Sequence, residues 1–164
     1  MITSKNGLDI IKKYEGLHDG DLHIIGLQPK MDPISIFTEG YGRAMRDKKG
    51  NFIKGIQNKD LAYANITIHT EEEASKALKE DTKVFENIVA KKIKIDLNQN
   101  QFDALVSHTY NTGGSNTLFD LINNHKSKDE IYKWFTEKYI SADGVPLKGL
   151  VNRRKSEADL YFKI

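Results

Sequence analysis

Two carboxylates and a hydroxyl stand near the start of the chain in contrasting surroundings. Glu15 follows Ile11 by four residues and Leu8 by seven, so a helix would place it on their apolar face. Burial there favours the neutral, proton-donating acid. Asp32 lies in a turn-rich and therefore hydrated segment, where it stays ionised, and Thr38 follows six residues later. Such a pair is typical of the general acid and general base of glycoside hydrolysis, with Thr38 and Asp32 holding a water molecule between them.

Spacing leaves two alternatives to this interpretation open. Asp19 and Asp21 compete with Asp32 for the role of second carboxylate. A purely structural role is also possible, because a Glu at a helix end is commonly solvated or salt-bridged and Asp-Pro commonly begins a turn.

The elements that would position these groups fall into three blocks. A first helix, capped by Ser4 or Asn6, ends near Gly16, and residues 18–60 alternate turn residues with short β-favouring stretches. The predicted strands are HII (23–25), ISIFT (34–38) and NFIKGI (51–56). Helical periodicity resumes from residue 70. This predicts one α+β domain over 1–164, with a β-rich lobe at about 18–60 and a helical part at 1–17 and 70–164 flanking a substrate groove.

Local signals mark the boundaries of the later helices. Capping boxes are predicted at Thr70/Glu73, Asn98/Gln101 and Ser127/Glu130. A short helix is predicted from Asn116, a turn at Asp143-Gly144, and a last helix over 149–162.

Composition excludes several classes of function. The chain has 164 residues, no cysteine, 38% hydrophobic and 29% charged residues and a formal net charge of +2. Disulfides, thiolate metal sites and cysteine nucleophiles are therefore excluded, and duplex nucleic acid binding has little support. The histidines lack metal-ligand spacing, so we expect no metal and no cofactor. No apolar run is long enough for a membrane helix, and the first residues do not form a secretory signal.

Four stretches resemble one family. They are YEGL (14–17), DPISIFTEGYG (32–42), LNQNQFDALVS (97–107) with YNTG (110–113), and GLVNRRKSE (149–157). In this order they are similar to the phage-type lysozymes, the endolysin muramidases of glycoside hydrolase family 24. The resemblance implies a lysozyme-like fold, with Glu15 as catalytic acid, Asp32 as base and Thr38 as its partner. The Asp-to-Thr interval matches the family's, which selects Asp32.

Further roles are implied around this centre. Arg153 resembles the arginine that pairs with the catalytic glutamate, and Arg154 is a possible substitute. Tyr41 is a candidate to line a sugar subsite and His108 to approach the groove, with packing roles as the alternative for both.

The implied reaction is hydrolysis of the β-1,4 bond between N-acetylmuramic acid and N-acetylglucosamine, with inversion. Inversion requires the two carboxyl groups to lie roughly 6.5–9.5 Å apart. The sequence departs from the family in the long interval of seventeen residues from Glu15 to Asp32, and in Ser35, Phe37 and Arg43. Ser35 and Phe37 stand where Gly and Trp are common, and Arg43 where His is frequent.

The expected partner is the glycan strand of bacterial peptidoglycan. We expect a monomer that does not insert stably in a membrane, remains in the cytoplasm until lysis, then reaches the cell wall or periplasm after release by a holin. A free endolysin, a prophage product and a virion enzyme are not distinguished. The rival from another class is a non-catalytic peptidoglycan-binding module.

Overall fold

The computed structural model describes residues 1–163, which divide into two compact units. One unit combines Met1–Tyr14 with the chain from Asp81 onward, and the other is Glu15–Glu80. The helices are α1 (Lys5–Glu15), α2 (Lys59–Ala64), α3 (Glu71–Lys92), α4 (Gln99–Thr112), α5 (Asn116–Asn123), α6 (Lys128–Glu137) and α7 (Lys148–Tyr161). The strands are β1 (Lys30–Met31), β2 (Phe37–Glu39), β3 (Arg43–Ala44), β4 (Ser141–Ala142) and β5 (Val145–Pro146).

Helix α1 begins and ends as the sequence predicts. The Ser4 hydroxyl oxygen accepts a hydrogen bond from the Asn6 main-chain N–H at 3.2 Å, so Ser4 is the capping residue. Ile11 is fully buried on the inward face of the helix. The helix stops at Glu15 because Gly16 adopts φ +74°, a left-handed conformation that suits glycine.

The three predicted capping boxes are confirmed. Asn98 and Ser127 each accept from a main-chain N–H three residues on, and the side chains of Gln101 and Glu130 return the bond. Before α3, the Glu73 N–H donates to the Thr70 hydroxyl and the Glu73 carboxylate accepts from the Thr70 N–H, both at 3.2 Å. Each box fixes a helix start by pairing main-chain donors that the helix leaves unpaired.

Helices dominate the unit that contains both ends of the chain. Helix α7 packs against α4 and α6, and α5 packs against α6. Their contact surfaces form one apolar core, which includes Phe102, Leu105, Leu118, Ile122 and Phe135. Strands β4 and β5 form a hairpin whose turn is Asp143-Gly144, as predicted. Within residues 1–163, no helix is long and apolar enough to cross a lipid bilayer.

The Glu15–Glu80 unit contains the predicted antiparallel sheet in a smaller form. Its strands lie in the order β1-β2-β3, and Thr38 in the central strand faces Lys30 on one side and Ala44 on the other. Four buried side chains, Phe37, Met45, Ile53 and Ala62, form its core.

Part of the strand prediction is wrong. Residues 23–25 lie in turns and bends. The segment is closed on itself by a hydrogen bond from the Gly20 N–H to the Gln28 carbonyl at 3.0 Å and pairs with no strand among residues 1–163. In the stretch 51–56 only isolated bridges form, at Phe52 and Lys54. Helix α2 and the 3-10 turn Ile56–Asn58 had no signal that we identified in the sequence.

Candidate active site

Asp32 lies at the turn that joins β1 to β2. Its main-chain N–H donates to the Ile36 carbonyl at 2.8 Å, and one side-chain oxygen, Oδ1, accepts from the N–H groups of Ile34 at 3.0 Å and Ile36 at 2.8 Å. These bonds fix the orientation of the half-buried carboxyl group. Among the described residues, no hydrogen bond engages the second oxygen, Oδ2. Asp32 therefore offers one anchored and one available carboxylate oxygen.

The loop that holds Asp32 has a strained residue. Pro33, Ile34 and Ser35 form a three-residue connection, and the Ser35 N–H donates to the Asp32 carbonyl at 3.0 Å. Ser35 has φ +68°, as expected for the last position of such a loop, where glycine is preferred. The serine therefore keeps the turn geometry at some cost in stability.

Thr38 is placed by the alternation of β2. Phe37 and Glu39 point to one face, where Phe37 packs in the core and Glu39 accepts from Thr67 and Ile68. Thr38 points to the other face and is buried. Its hydroxyl donates to the Lys30 carbonyl at 2.9 Å and lies 2.7 Å from Nδ1 of His18.

Glu15 reaches the same unit from the end of α1. A Cβ atom built on Gly42 would lie 3.9 Å from Glu15 Oε2 and 3.8 Å from His18 Cε1. Gly42 has φ +88°, so this turn both requires glycine and leaves the space beside these two side chains clear. The Glu15 carboxyl and the His18 ring thus border a common space next to the Gly-Tyr-Gly turn.

The two rival carboxylates close turns in the segment that links Glu15 to Asp32. Oδ1 of Asp19 accepts from the N–H groups of Asp21 at 3.2 Å and Gln28 at 3.3 Å. Asp21 Oδ1 accepts from the His23 N–H at 3.0 Å. Both carboxylates stabilise local turns, as Asp32 does, but Asp32 differs in lying in the hairpin that carries Thr38.

His18 is the residue of this site that the sequence analysis missed. Its main-chain N–H donates to the Gly40 carbonyl at 2.8 Å, which ties the segment after α1 to the end of β2. Burial and the nearby Lys30 cation lower the pKa of the imidazole, while Glu15 and Asp32 act in the opposite sense. The ring is therefore neutral at neutral pH. The only hint in the sequence is its position three residues after Glu15.

The two residues proposed to contact sugar lie inside the protein. Tyr41 is 6% exposed and its hydroxyl donates to Glu71 at 3.1 Å. His108 is fully buried, and its ring packs against Trp134, Phe135 and Tyr139. Stacking on a sugar requires an exposed face, so the structure favours the packing alternative for both residues.

Arg153 and Arg154 share a buried carboxylate within the helical unit. Glu157 lies 3.2 Å from Arg153 Nε and 3.1 Å from Arg154 Nε, and accepts from the Ser107 hydroxyl at 2.7 Å. Arg154 also donates to the Asn111 side chain at 2.9 Å. Burial raises the pKa of the Glu157 carboxyl, and the two guanidinium groups oppose this change. The pairing of Arg153 with Glu15 stays a prediction.

Comparisons with known proteins agree with this architecture. A family model described as phage lysozyme matches residues 14–157. The endolysin of Bacillus phage B103 is 31% identical over 169 residues, which cover 99% of this chain and 54% of that protein. The endolysin of Acyrthosiphon pisum secondary endosymbiont phage 1 is 29% identical over 168 residues, covering 98% of each chain. The chain thus spans about half the length of the first relative and nearly all of the second.

Solved structures show the same fold. The endolysin from Escherichia coli O157:H7 phage FAHEc1 has a TM-score of 0.72 and 32% identity, over 99% of this chain and 94% of that chain. A mutant of P22 lysozyme has a TM-score of 0.74 and 26% identity, over 99% of both chains. These similarities confirm the predicted lysozyme-like α+β fold.

Proposed function

This chain belongs to the phage lysozyme family, and from that premise we propose that it is a muramidase with Glu15 as acid and Asp32 as base. It is a glycoside hydrolase of the lysozyme type that acts on peptidoglycan. The bond it cleaves is the β-1,4 link between N-acetylmuramic acid and N-acetylglucosamine.

One observation supports this assignment above the others, namely the position of the Asp32 carboxylate in the hairpin whose second strand carries Thr38. Two main-chain N–H groups hold Oδ1, and no described residue engages Oδ2. Asp19 and Asp21 are anchored in a similar way, each through one oxygen that accepts from nearby main-chain N–H groups. Asp32 differs from them by standing beside the strand that carries Thr38.

The reaction follows from the roles of the three side chains. A water molecule donates one hydrogen bond to Asp32 Oδ2 and one to the Thr38 hydroxyl oxygen, which directs a lone pair of the water at the anomeric carbon. The bond from that carbon to the bridging oxygen breaks as the Glu15 proton moves to this oxygen. The attacking water loses its proton to Asp32. Attack from the far face inverts the anomeric configuration.

The decisive experiment compares matched carboxylate variants. Purified peptidoglycan is incubated with the wild type, Glu15→Gln and Asp32→Asn, and new reducing ends are counted, together with clearance of permeabilised Gram-negative cells. Both variants should lose nearly all activity because each lacks one proton-transfer group. Asp19→Asn and Asp21→Asn are the matched controls and should stay active.

Other outcomes lead to different assignments. An active Glu15→Gln variant would overturn the muramidase mechanism. If Asp32→Asn is active and either Asp19→Asn or Asp21→Asn is inactive, the general base would be that aspartate, in the segment that links Glu15 to Asp32. A folded wild type that binds peptidoglycan without releasing reducing ends would instead be a binding module.

The biological setting follows the relatives named endolysins. The substrate is the glycan strand in the cell wall. We propose that the protein accumulates in the cytoplasm of the producing cell and leaves it through a membrane lesion made by a holin. It acts as a monomer and binds no nucleic acid. Equilibrium ultracentrifugation tests the monomer, and co-expression with and without a holin tests the release.

A further inference from the structure

The hydrogen bonds around Thr38 have a defined direction. A hydroxyl carries one proton, and the Lys30 carbonyl, 2.9 Å away, can only accept it. The hydroxyl proton is therefore committed to Lys30. The 2.7 Å contact between His18 Nδ1 and the Thr38 oxygen then needs its proton from the ring. This selects the Nδ1–H form of His18 as the donor, and the Glu15 main-chain carbonyl is a further acceptor beside the ring.

From this geometry we infer that His18 is a positioning residue for hydrolysis: its Nδ1–H fixes the Thr38 hydroxyl oxygen as an acceptor for the attacking water. The inference rests on the proposed function of Asp32 and Thr38. With its proton given to Lys30 and one lone pair taken by His18, the Thr38 oxygen has a single lone pair left for a ligand. The water is then held as a donor to both Thr38 and Asp32, so its own lone pair faces the sugar.

Protonation of His18 would change the charge at this site. The charged groups around the ring are Lys30 on β1, Glu15 at the end of α1 and Asp32 in the turn. A cationic ring would keep the Nδ1–H bond but add a positive charge beside the two carboxyl groups that carry the reaction, so kcat should fall. Because the pKa of His18 is lowered from its ordinary value of 6.5, this loss of activity sets in below pH 6.5.

Substitutions of His18 can test its N–H donor and its aromatic ring separately. Asparagine has a short N–H donor that corresponds to Nδ1–H and does not titrate, so His18→Asn should retain kcat within about threefold. Phenylalanine keeps a ring but has no donor, so His18→Phe should lower kcat by about 10- to 100-fold with little change in KM. Thr38→Val should lower kcat in the wild type but add little in the His18→Phe background, because both changes break the same link.

Two further readouts do not depend on the His18→Phe variant being folded. Nitrogen-15 NMR of the wild type at pH 7.5 should show the Nδ1–H form of His18; an Nε2–H form would overturn the inference. The acid limb of the kcat profile should lie at lower pH in His18→Asn than in the wild type, and an unchanged limb would count against the inference.

The kinetic results also distinguish a failure of the His18 inference from a failure of the proposed function. A folded His18→Phe enzyme with wild-type kcat, or a His18→Asn enzyme as impaired as His18→Phe, would overturn the role of His18 while leaving Glu15 and Asp32 as proposed. Full activity of Glu15→Gln in the same preparation would instead reject the proposed function itself.

Discussion

Two groups of ionisable side chains in this molecule differ in burial and in how their carboxylates are paired. Glu157, Arg153 and Arg154 are at most 3% exposed, and each Glu157 oxygen lies within 3.2 Å of a guanidinium nitrogen. Asp32 is half-buried, and its Oδ2 has no hydrogen-bond partner among the described residues. A buried, ion-paired cluster holds structure, whereas a half-buried carboxylate with one anchored and one available oxygen can bind a water molecule and accept a proton.

The largest expected effect is on catalysis, from Asp32→Asn. The amide keeps an oxygen that accepts from the Ile34 and Ile36 N–H groups, so the fold should be unchanged. It cannot accept a proton, so kcat should fall on the order of 10³-fold. Reducing-end kinetics and thermal unfolding of the same sample measure both effects. A large fall in Tm would mean that Asp32 belongs with the structural cluster.

For Glu157→Gln we expect the main effect to be on stability. The amide leaves Arg153 and Arg154 without their shared counter-charge in the protein interior, so the free energy of unfolding should fall by about 3–5 kcal/mol. Urea unfolding measures this loss. The exposed Lys133–Glu137 pair supplies the control, because Glu137→Gln should change stability by less than about 1 kcal/mol. Equal effects of the two substitutions would contradict the buried network.

The free energy of unfolding should fall at acid pH because His108 is buried in its neutral form. Burial, then Arg154 and Arg153, lowers the pKa of His108 to about 3. Between its ordinary value of 6.5 and 3 the unfolded chain binds the proton and the folded one does not, so stability falls as pH decreases. At pH 4.5 the loss should be about 2–3 kcal/mol. Urea unfolding at pH 7.5 and 4.5 should show a smaller difference in His108→Phe, and an equal difference would refute this assignment.

The smallest effect concerns the turn that carries Asp32. Ser35→Gly should raise the free energy of unfolding by about 0.5–1 kcal/mol, because the glycine adopts φ +68° without strain. Since the bonds to Asp32 are main-chain bonds, kcat should be unchanged. Paired urea titrations measure the stability, and destabilisation would show that the serine makes a compensating contact.

Features set by residues close in sequence could be predicted, whereas features set by contacts between distant residues could not. Helix starts were predictable because capping boxes join residues three apart, as at Ser127 and Glu130. Asp32 and Thr38 were proposed from a short motif, and the structure places both in one hairpin. His18 was missed because its partner Thr38 is twenty residues away, and only the folded loop brings the two together. The strand predicted at 23–25 failed for a related reason, since β-favouring residues without a partner strand remain in turns.

In the proposed mechanism, Asp32 and Thr38 hold a water molecule that attacks the sugar on the face opposite the bond protonated by Glu15. The most direct test is proton NMR of the anomeric signals during the first minutes of peptidoglycan hydrolysis, before mutarotation equilibrates them. New reducing ends should appear first as the α-anomer, the inverted product of a β-linked substrate. Initial release of the β-anomer would show retention and would contradict the role of Asp32 as the base that activates water.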